Sequence, residues 1–558
     1  MRGAGRDRPR LRDHRALVGA TVGLVVLETV VVAAIAPEHS VALAPQVSAP
    51  APFDVFHDLR WLLVYHESWL GLALELAVLL AWRTAVANLV VRFAWPTDGV
   101  LPSWRAQARR VLPFVAIEVV VLTPFAVLLF AMAVLSLSWL FFVAVPVLVM
   151  VACLVHHGAV GDRWWRDAPA KAGVVAVLIA FVNLTVAGAV LAVASWWLLV
   201  PVAVMAGVVN AWCWLRIVHA LADRVVAPRR RPFALVGIAG VLVLVVVGTA
   251  VGFAVSVAVE GARRPLARAR ADATGPPVLV VKGFNSKWEG ITRRWVDGNY
   301  RIRRFSYRGL DAHRKPLPYE RSDTHRSVRD LAREMRRQVD AFHRAAGAPV
   351  SIVAESEGSL VAQAYVAATP NAPVRTLVLL SPLLAPGRVY YPPAGNTGWG
   401  LAAGVVLDGL AAAVGAVGPV DVSADVPLFR SVVDEAPPLR ALIHCPAPGL
   451  REAAVLPLDS GVSAPAPVDV DLPYAVVPAF HGGLLGDATT ARVVGRALRH
   501  RPLSSSDFWE GVGEVVSAGA AAWQVPDLER SVNSEWSSLP AGDCRAVRAE
   551  LRRWLASG

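Results

Sequence analysis

One short stretch of this chain combines residue types and spacing that could do chemistry: Pro349-Val350-Ser351-Ile352-Val353-Ala354-Glu355-Ser356-Glu357-Gly358-Ser359. An apolar, β-branched run leads into a small residue, any residue, serine, any residue and glycine. A strand that turns sharply into a helix there lifts the serine hydroxyl to the helix N-terminus, where backbone N–H groups favour a developing oxyanion. The turn is strained and brings backbones close together, so the positions two residues either side of the serine must be small. Here they are Ala354 and Gly358, and Ser356 is the candidate nucleophile.

A second set of ionisable groups lies elsewhere: Glu28, Glu75 and Glu118 each interrupt a long apolar run, and Asn183 and Asn210 add polar groups to two later runs. A charged side chain at mid-bilayer costs about 2.5–3.5 kcal/mol on insertion scales, so such residues form either a proton or substrate path or a neutral, hydrogen-bonded cluster that locks helices together. The four cysteines include no CxxC pair, which argues against a zinc or redox site; a disulfide between Cys445 and Cys544 is compatible with the sequence. Neither a nucleotide loop nor a haem motif is found, and no cofactor or metal is expected.

The elements around Ser356 read as alternating strands and helices. Short β-branched runs at 277–282, 301–306, 350–354, 374–380, 452–458 and 474–480 alternate with amphipathic stretches at 326–346, 358–369 and 487–499, the pattern of a mostly parallel βαβ sheet.

Residues 275–500 resemble an α/β-hydrolase domain. The resemblance rests on the Ser356 turn and on Val455-Leu456-Pro457-Leu458-Asp459 and Val476-Val477-Pro478-Ala479-Phe480-His481-Gly482-Gly483, which match the family order Ser, Asp, His. It implies Ser356, Asp459 and His481 as catalytic residues. His481 would deprotonate Ser356, while Asp459 would hold the imidazole tautomer and stabilise its charged form. Asp469 and Asp471 are the alternative acids. The backbones of Phe284 and Glu357 are the expected oxyanion donors, Phe284 from the loop Lys282-Gly283-Phe284-Asn285. The chain departs from the family at Lys282, where a histidine is frequent, and at Glu355 and Glu357, which flank the serine. Two carboxylates there would resist a second negative charge, so at least one is expected to reach solvent or a cation. An insertion at about 385–450 takes the place of a cap over the site, with an apolar helix after Gly398-Trp399-Gly400-Leu401 suited to an acyl pocket.

Composition accounts for the rest of the chain. Of 558 residues, 55% are apolar and only 18% charged, against about 25% charged in soluble domains, so much of the chain belongs in lipid. Disorder, collagen and a small disulfide scaffold are excluded together. The net charge is +12, and Lys171, Lys282, Lys287 and Lys315 are the only lysines; the arginine, alanine and valine excess is that of a high-GC bacterial sequence. Seven runs near the roughly 20 residues needed to span a bilayer are expected as transmembrane helices: 17–36, 61–82, 111–135, 139–157, 172–196, 198–218 and 233–257. Ala34-Ile35-Ala36 imitates a signal cleavage site, but Pro37 follows it, and the first run reads as an uncleaved anchor.

Arginines cluster before the first run and after the second, fourth and sixth, which places the N-terminus in the cytoplasm and the C-terminal half outside. Arg263, Arg264, Arg268 and Arg270, beyond the last run, point the other way. The chain thus divides into a multi-pass helical domain at 1–260, a linker at 261–274, the α/β domain at 275–500 and a helical tail at 501–558. The leading expectation is a membrane-embedded esterase, lipase or acyltransferase, working through an acyl-serine on lipid or cell-envelope esters, with membrane lipids and not nucleic acid as partners. The other is a transport or envelope-assembly protein whose hydrolase-like domain only binds, with Glu28, Glu75 and Glu118 as the working groups.

Overall fold

The computed structural model describes residues 11–225 and 268–557, apart from 97–101, 161–168, 416–420, 464–469, 529–542 and a few single positions. Its N-terminal half comprises α1 (Leu11–Ile35), a 3-10 helix (Glu38–Ser48), α2 (Phe53–Tyr65), α3 (Trp69–Ala94), α4 (Trp104–Leu135), α5 (Trp139–Val155), α6 (Lys171–Val193) and α7 (Trp196–Val225). Five of these, α1, α3, α4, α6 and α7, are long and apolar enough to cross a membrane among the described residues. Along α3, Leu70, Leu74, Val78 and Trp82 stay exposed at four-residue spacing, one outward stripe of a helix solvated by lipid.

Six of the seven expected spans fall on described residues, and these yield five helices long enough to cross, which corrects the expectation there. The expected run at 61–82 divides between two helices. His66 leaves α2 in an extended conformation, and Ser68 caps α3 by accepting from Gly71 N, so the chain reverses where hydropathy sees one continuous segment. The run at 139–157 becomes α5, only 17 residues long. The run at 233–257 lies outside the described residues.

The 3-10 helix and α2 are buried among the spans. Irregular backbone inside a bundle leaves carbonyls without partners, and polar side chains must supply them. Arg83 donates to Val47 O at 2.7 Å, Asn210 to Pro45 O at 2.8 Å, Trp214 to Ser48 O at 3.1 Å and Gln46 to Ala522 O at 2.5 Å.

The C-terminal half is built on six strands: β1 (Pro277–Val281), β2 (Arg301–Arg304), β3 (Val350–Glu355), β4 (Val374–Leu380), β5 (Arg451–Pro457) and β6 (Tyr474–Val477). They fall on the six expected runs and form one sheet, all parallel, in the order β2-β1-β3-β4-β5-β6. The helices of this half are α8 (Val328–Ala346), α9 (Glu357–Ala368), α10 (Leu401–Gly415), α11 (Ala488–Leu498), α12 (Asp507–Ala521) and α13 (Cys544–Ala556). Ile352, Leu377 and Leu379 share a core with Leu331 and Val339 of α8 and Leu360 of α9, whereas Val353, Val378 and Val455 pack against Val493, Val494 and Leu498 of α11. Both faces of the sheet are covered, which is why its central strands are predominantly apolar.

The two halves meet at one end of the helical bundle. Gly387 N donates to Val134 O at 3.0 Å, Gly400 N to His66 O at 3.1 Å and Ala402 N to His66 Nε2 at 2.7 Å. Phe142 and Phe480 pack ring to edge, and Trp523 inserts among Phe53, Phe56 and Phe181. The loop contacts lie near the C-terminal end of α4 and the N-terminal ends of α3 and α5, while Trp523 reaches Phe181 in the middle of α6. Arg92, Arg105, Arg109 and Arg110 lie at the other ends of α3 and α4. Cys445 and Cys544 form a disulfide that ties α13 to the 385–450 insertion.

Candidate active site

Ser356 sits between β3 and α9 with φ 57° and ψ −124°, a conformation that costs a non-glycine residue about 1–3 kcal/mol and persists only where surroundings enforce it. Its N–H donates to Leu380 O at 2.9 Å, and Ser359 N returns to Ser356 O at 2.8 Å. Two glycines make room. A Cβ on Gly283 would stand 2.7 Å from Ser356 Cβ, and one on Gly358 would stand 2.8 Å from Lys282 O. The first strand's exit loop is thereby pressed against the serine, which puts the Phe284 backbone beside it. The N–H of Glu357, first residue of α9, has no acceptor within its own helix.

The structure brings His481 to this serine. Ser356 Oγ and His481 Nε2 are 2.8 Å apart. The other ring nitrogen, Nδ1, meets Ser381 Oγ at 2.5 Å, so the neutral ring that accepts the Ser356 proton on Nε2 donates its own Nδ1–H to Ser381. Asp459 holds the histidine through the backbone instead: its Oδ1 accepts from His481 N at 2.9 Å, while its Oδ2 accepts from Ser138 Oγ at 2.5 Å. The expected direct contact of Asp459 with the ring is thus taken over by Ser381, with the carboxylate acting beside the ring as a buried charge. Asp471 stands at the surface 3.3 Å from His444 Nδ1, away from the histidine, and Asp469 lies outside the described residues.

Sequence reading missed Ser381 and Ser138. Ser381 directly follows β4, at the carboxyl edge of the parallel sheet where ligand sites gather, and that position was the available signal. Ser138 belongs to the connection between α4 and α5, 321 residues from its partner, and nothing local marks it.

Burial pushes the His481 imidazole below its ordinary value, against the pull of Asp459; burial raises Asp459, against His481 and the Ser138 hydrogen bond. A nucleophilic Ser356 would need a neutral base, so any esterase activity it carries should have a kcat/KM that holds down to a pH below 6.5 and then falls. Removing Ser138 takes away a donor to the ionised form of Asp459, weakening its support of the imidazolium. Ser138→Ala is therefore expected to move the acid limb to still lower pH and to lower the plateau roughly 10-fold. A pH–rate profile that stays in place or moves upward would deny Ser138 this part.

Neither flanking carboxylate reaches solvent or a cation, which corrects the expectation. Glu355 turns inward, its Oε1 accepting from Leu484 N and Leu485 N at 3.2 Å each, and so anchors the loop behind His481. Glu357 is buried with both oxygens unpartnered among the described residues, and burial pushes its carboxyl well above the usual range. It lines a cavity of about 50 Å³ beside Ser356, walled also by Val134 of α4 and roofed by Leu428, Phe429, Val432 and Val433. The apolar α10 packs toward Phe130 and His66 of the helical half instead of over this cavity.

The intramembrane carboxylates do not form the expected trio. Glu28 Oε1 lies 3.4 Å from His57 Nε2, His57 Nδ1 lies 2.9 Å from Asp58 Oδ1, and Arg83 bridges Asp58 and Asp54. Glu118 is buried beside this group with both oxygens unpartnered among the described residues. Glu75 is exposed on the outside of α3 and takes no part. Asn183 and Asn210 do meet, at 3.1 Å. Compared with known proteins, the chain matches no family model, no curated protein and no solved structure.

Proposed function

We propose that this protein is a membrane-embedded serine hydrolase or acyltransferase of the α/β-hydrolase type, acting on lipid or cell-envelope esters. The observation that carries the reading is the 2.8 Å contact between His481 Nε2 and a Ser356 hydroxyl held on a strained turn between strand and helix. In this mechanism His481 takes the Ser356 proton as Oγ attacks the ester carbonyl. The backbone N–H groups of Phe284 and Glu357 receive the tetrahedral oxyanion, and Asp459 and Ser381 support the imidazolium. His481 then returns the proton to the leaving alcohol. Water, or an acceptor alcohol activated in the same way, releases the acyl group from Ser356.

A membrane-resident substrate is favoured by position: Val134 forms part of the cavity wall, and Phe142 and Phe480 pair beside His481 where the two halves meet. Two features favour an extracytoplasmic site. The arginines at the ends of α3 and α4 lie away from the α/β half, as cytoplasmic loops retain cations, and the Cys445–Cys544 disulfide suits an oxidising compartment.

Labelling of intact cells with a membrane-impermeant fluorophosphonate tests nucleophile and side together. The wild type should label and Ser356→Ala should not; Ser506→Cys should react with an impermeant maleimide, and Ser103→Cys should not. Labelling that survives in Ser356→Ala would move the nucleophile elsewhere. The reverse cysteine pattern would put the domain in the cytoplasm.

A further inference from the structure

Helix α12 has no task in the mechanism, yet it joins the catalytic turns to the helical half. On one side Ser517 Oγ donates to Gly461 O at 3.3 Å and Gln524 donates to Val462 O, so the turn that follows Asp459 hangs on this helix and the residues just after it. A Cβ on Gly513 would stand 3.6 Å from Val476 of β6. On another side the C-terminal end of α12 packs against α6. A Cβ on Gly519 would stand 3.7 Å from Thr185, one on Gly188 would stand 2.6 Å from Ala522, and Trp523 Nε1 donates to Thr185 Oγ1 at 3.0 Å.

The depth of that contact follows from α6. Thr185 precedes the end of the helix at Val193 by eight residues, about 12 Å. Past the contact Val182, Val186, Val190 and Val193 stay exposed at three- to four-residue spacing, an outward stripe of a helix solvated by lipid. Trp196 and Trp197, exposed at the start of α7, mark the membrane interface beyond it. The C-terminal end of α12 therefore sits at a level where its neighbour is in hydrocarbon.

The helix carries an edge for the same solvent. Phe508 and Val515 are 66% and 73% exposed, and at about 3.6 residues per turn both lie within about 40° of Gly519, the residue that meets α6. Asp507, Glu510 and Glu514 lie on average about 120° round from them. An apolar edge beside a lipid-facing helix, with the carboxylates turned away, is the division of a helix lying in a membrane surface. Lipid is favoured over a second copy of this chain because the edge adjoins the α6 stripe, which lipid already covers. We propose that α12 is embedded along this edge in the leaflet nearest the α/β half and holds the Ser356–His481 site at the level of lipid ester groups, so that lipid substrate enters sideways past Phe142 and Phe480. Both rings are exposed where α5 meets the loop carrying His481. The entry route rests on the hydrolase reading above; the embedding of α12 does not.

The test uses the full-length protein in nanodiscs of phosphatidylcholine and phosphatidylglycerol. Cys213 is buried and Cys445 and Cys544 are paired, so a Cys153→Ala background leaves an introduced cysteine as the reactive thiol. A bimane on Val515→Cys should lose about half its fluorescence or more to chain-brominated lipid and little to aqueous iodide, with the reverse order on Glu514→Cys. Equal iodide quenching at the two positions would put the edge in water, and quenching of Val515→Cys by neither agent would mean that protein covers it; either result overturns the embedding. For the entry route, Ser356 should react with a hexadecyl fluorophosphonate resident in the disc. Phe508→Glu combined with Val515→Glu should slow that reaction about 5-fold or more and leave a short soluble fluorophosphonate within about 2-fold, because charge drives the edge out of hydrocarbon. Failure of the disc-resident probe alone, or equal effects on the two probes, overturns the entry route only. A wild type that neither probe labels overturns the hydrolase reading and the entry route with it, and the bimane result still decides the embedding.

Discussion

Ser356→Ala and His481→Ala are each expected to lower kcat/KM for short-chain esters by at least about 10³-fold, because nucleophile and base act as one relay. The 2.8 Å contact between them is the only proton path that the geometry offers the serine among the described residues. The double variant should be hardly worse than either single one, since groups acting as a unit are not additive. Folding should be unaffected in Ser356→Ala, whose methyl group occupies space the serine already fills. Steady-state kinetics on purified protein check this. A variant that keeps more than a tenth of wild-type activity, or single losses that simply multiply in the double variant, would sink the relay.

Asp459→Asn should be the next most damaging change, with a loss of about 10²-fold or more in kcat. It removes the negative charge that faces the imidazolium and weakens two contacts at once. One fixes the His481 backbone; the other ties the site to Ser138 of the helical half. Ser381→Ala should cost less, roughly 10-fold, since it frees the ring to turn without removing charge. The two variants should also differ in pH dependence. Without the Asp459 charge the His481 imidazolium loses its main support, so the acid limb should move to lower pH, whereas Ser381→Ala should leave it nearly in place. If Ser381→Ala proves the worse of the pair, the ring orientation matters more than the buried charge, and Asp459 is chiefly an anchor for the loop.

Part of this molecule was legible from its amino acids alone because it depends on neighbours in the chain. The six strands follow from β-branched runs bounded by turn residues, and the parallel pairing of the central ones from the helices between them. The strained turn at Ser356 follows from Ala354 and Gly358, the small residues that let β1 and α9 approach. Apolar length likewise marked the spanning helices. It could not mark the break at His66 and Ser68, which depends on a capping hydroxyl and on contacts with Gly400 and Ala402.

Tertiary structure alone decided the rest. It placed Ser381 against the ring of His481 and Ser138 against Asp459. It turned Glu355 onto two backbone N–H groups and buried the Glu357 carboxyl without a partner among the described residues. It put Glu75 outside the bundle while drawing Asp54, Asp58 and Arg83 together inside it. Where a polar side chain found a partner away from water, as Ser381, Ser138, Glu355 and Arg83 did, that partner lay tens or hundreds of residues away, where no local spacing rule reaches.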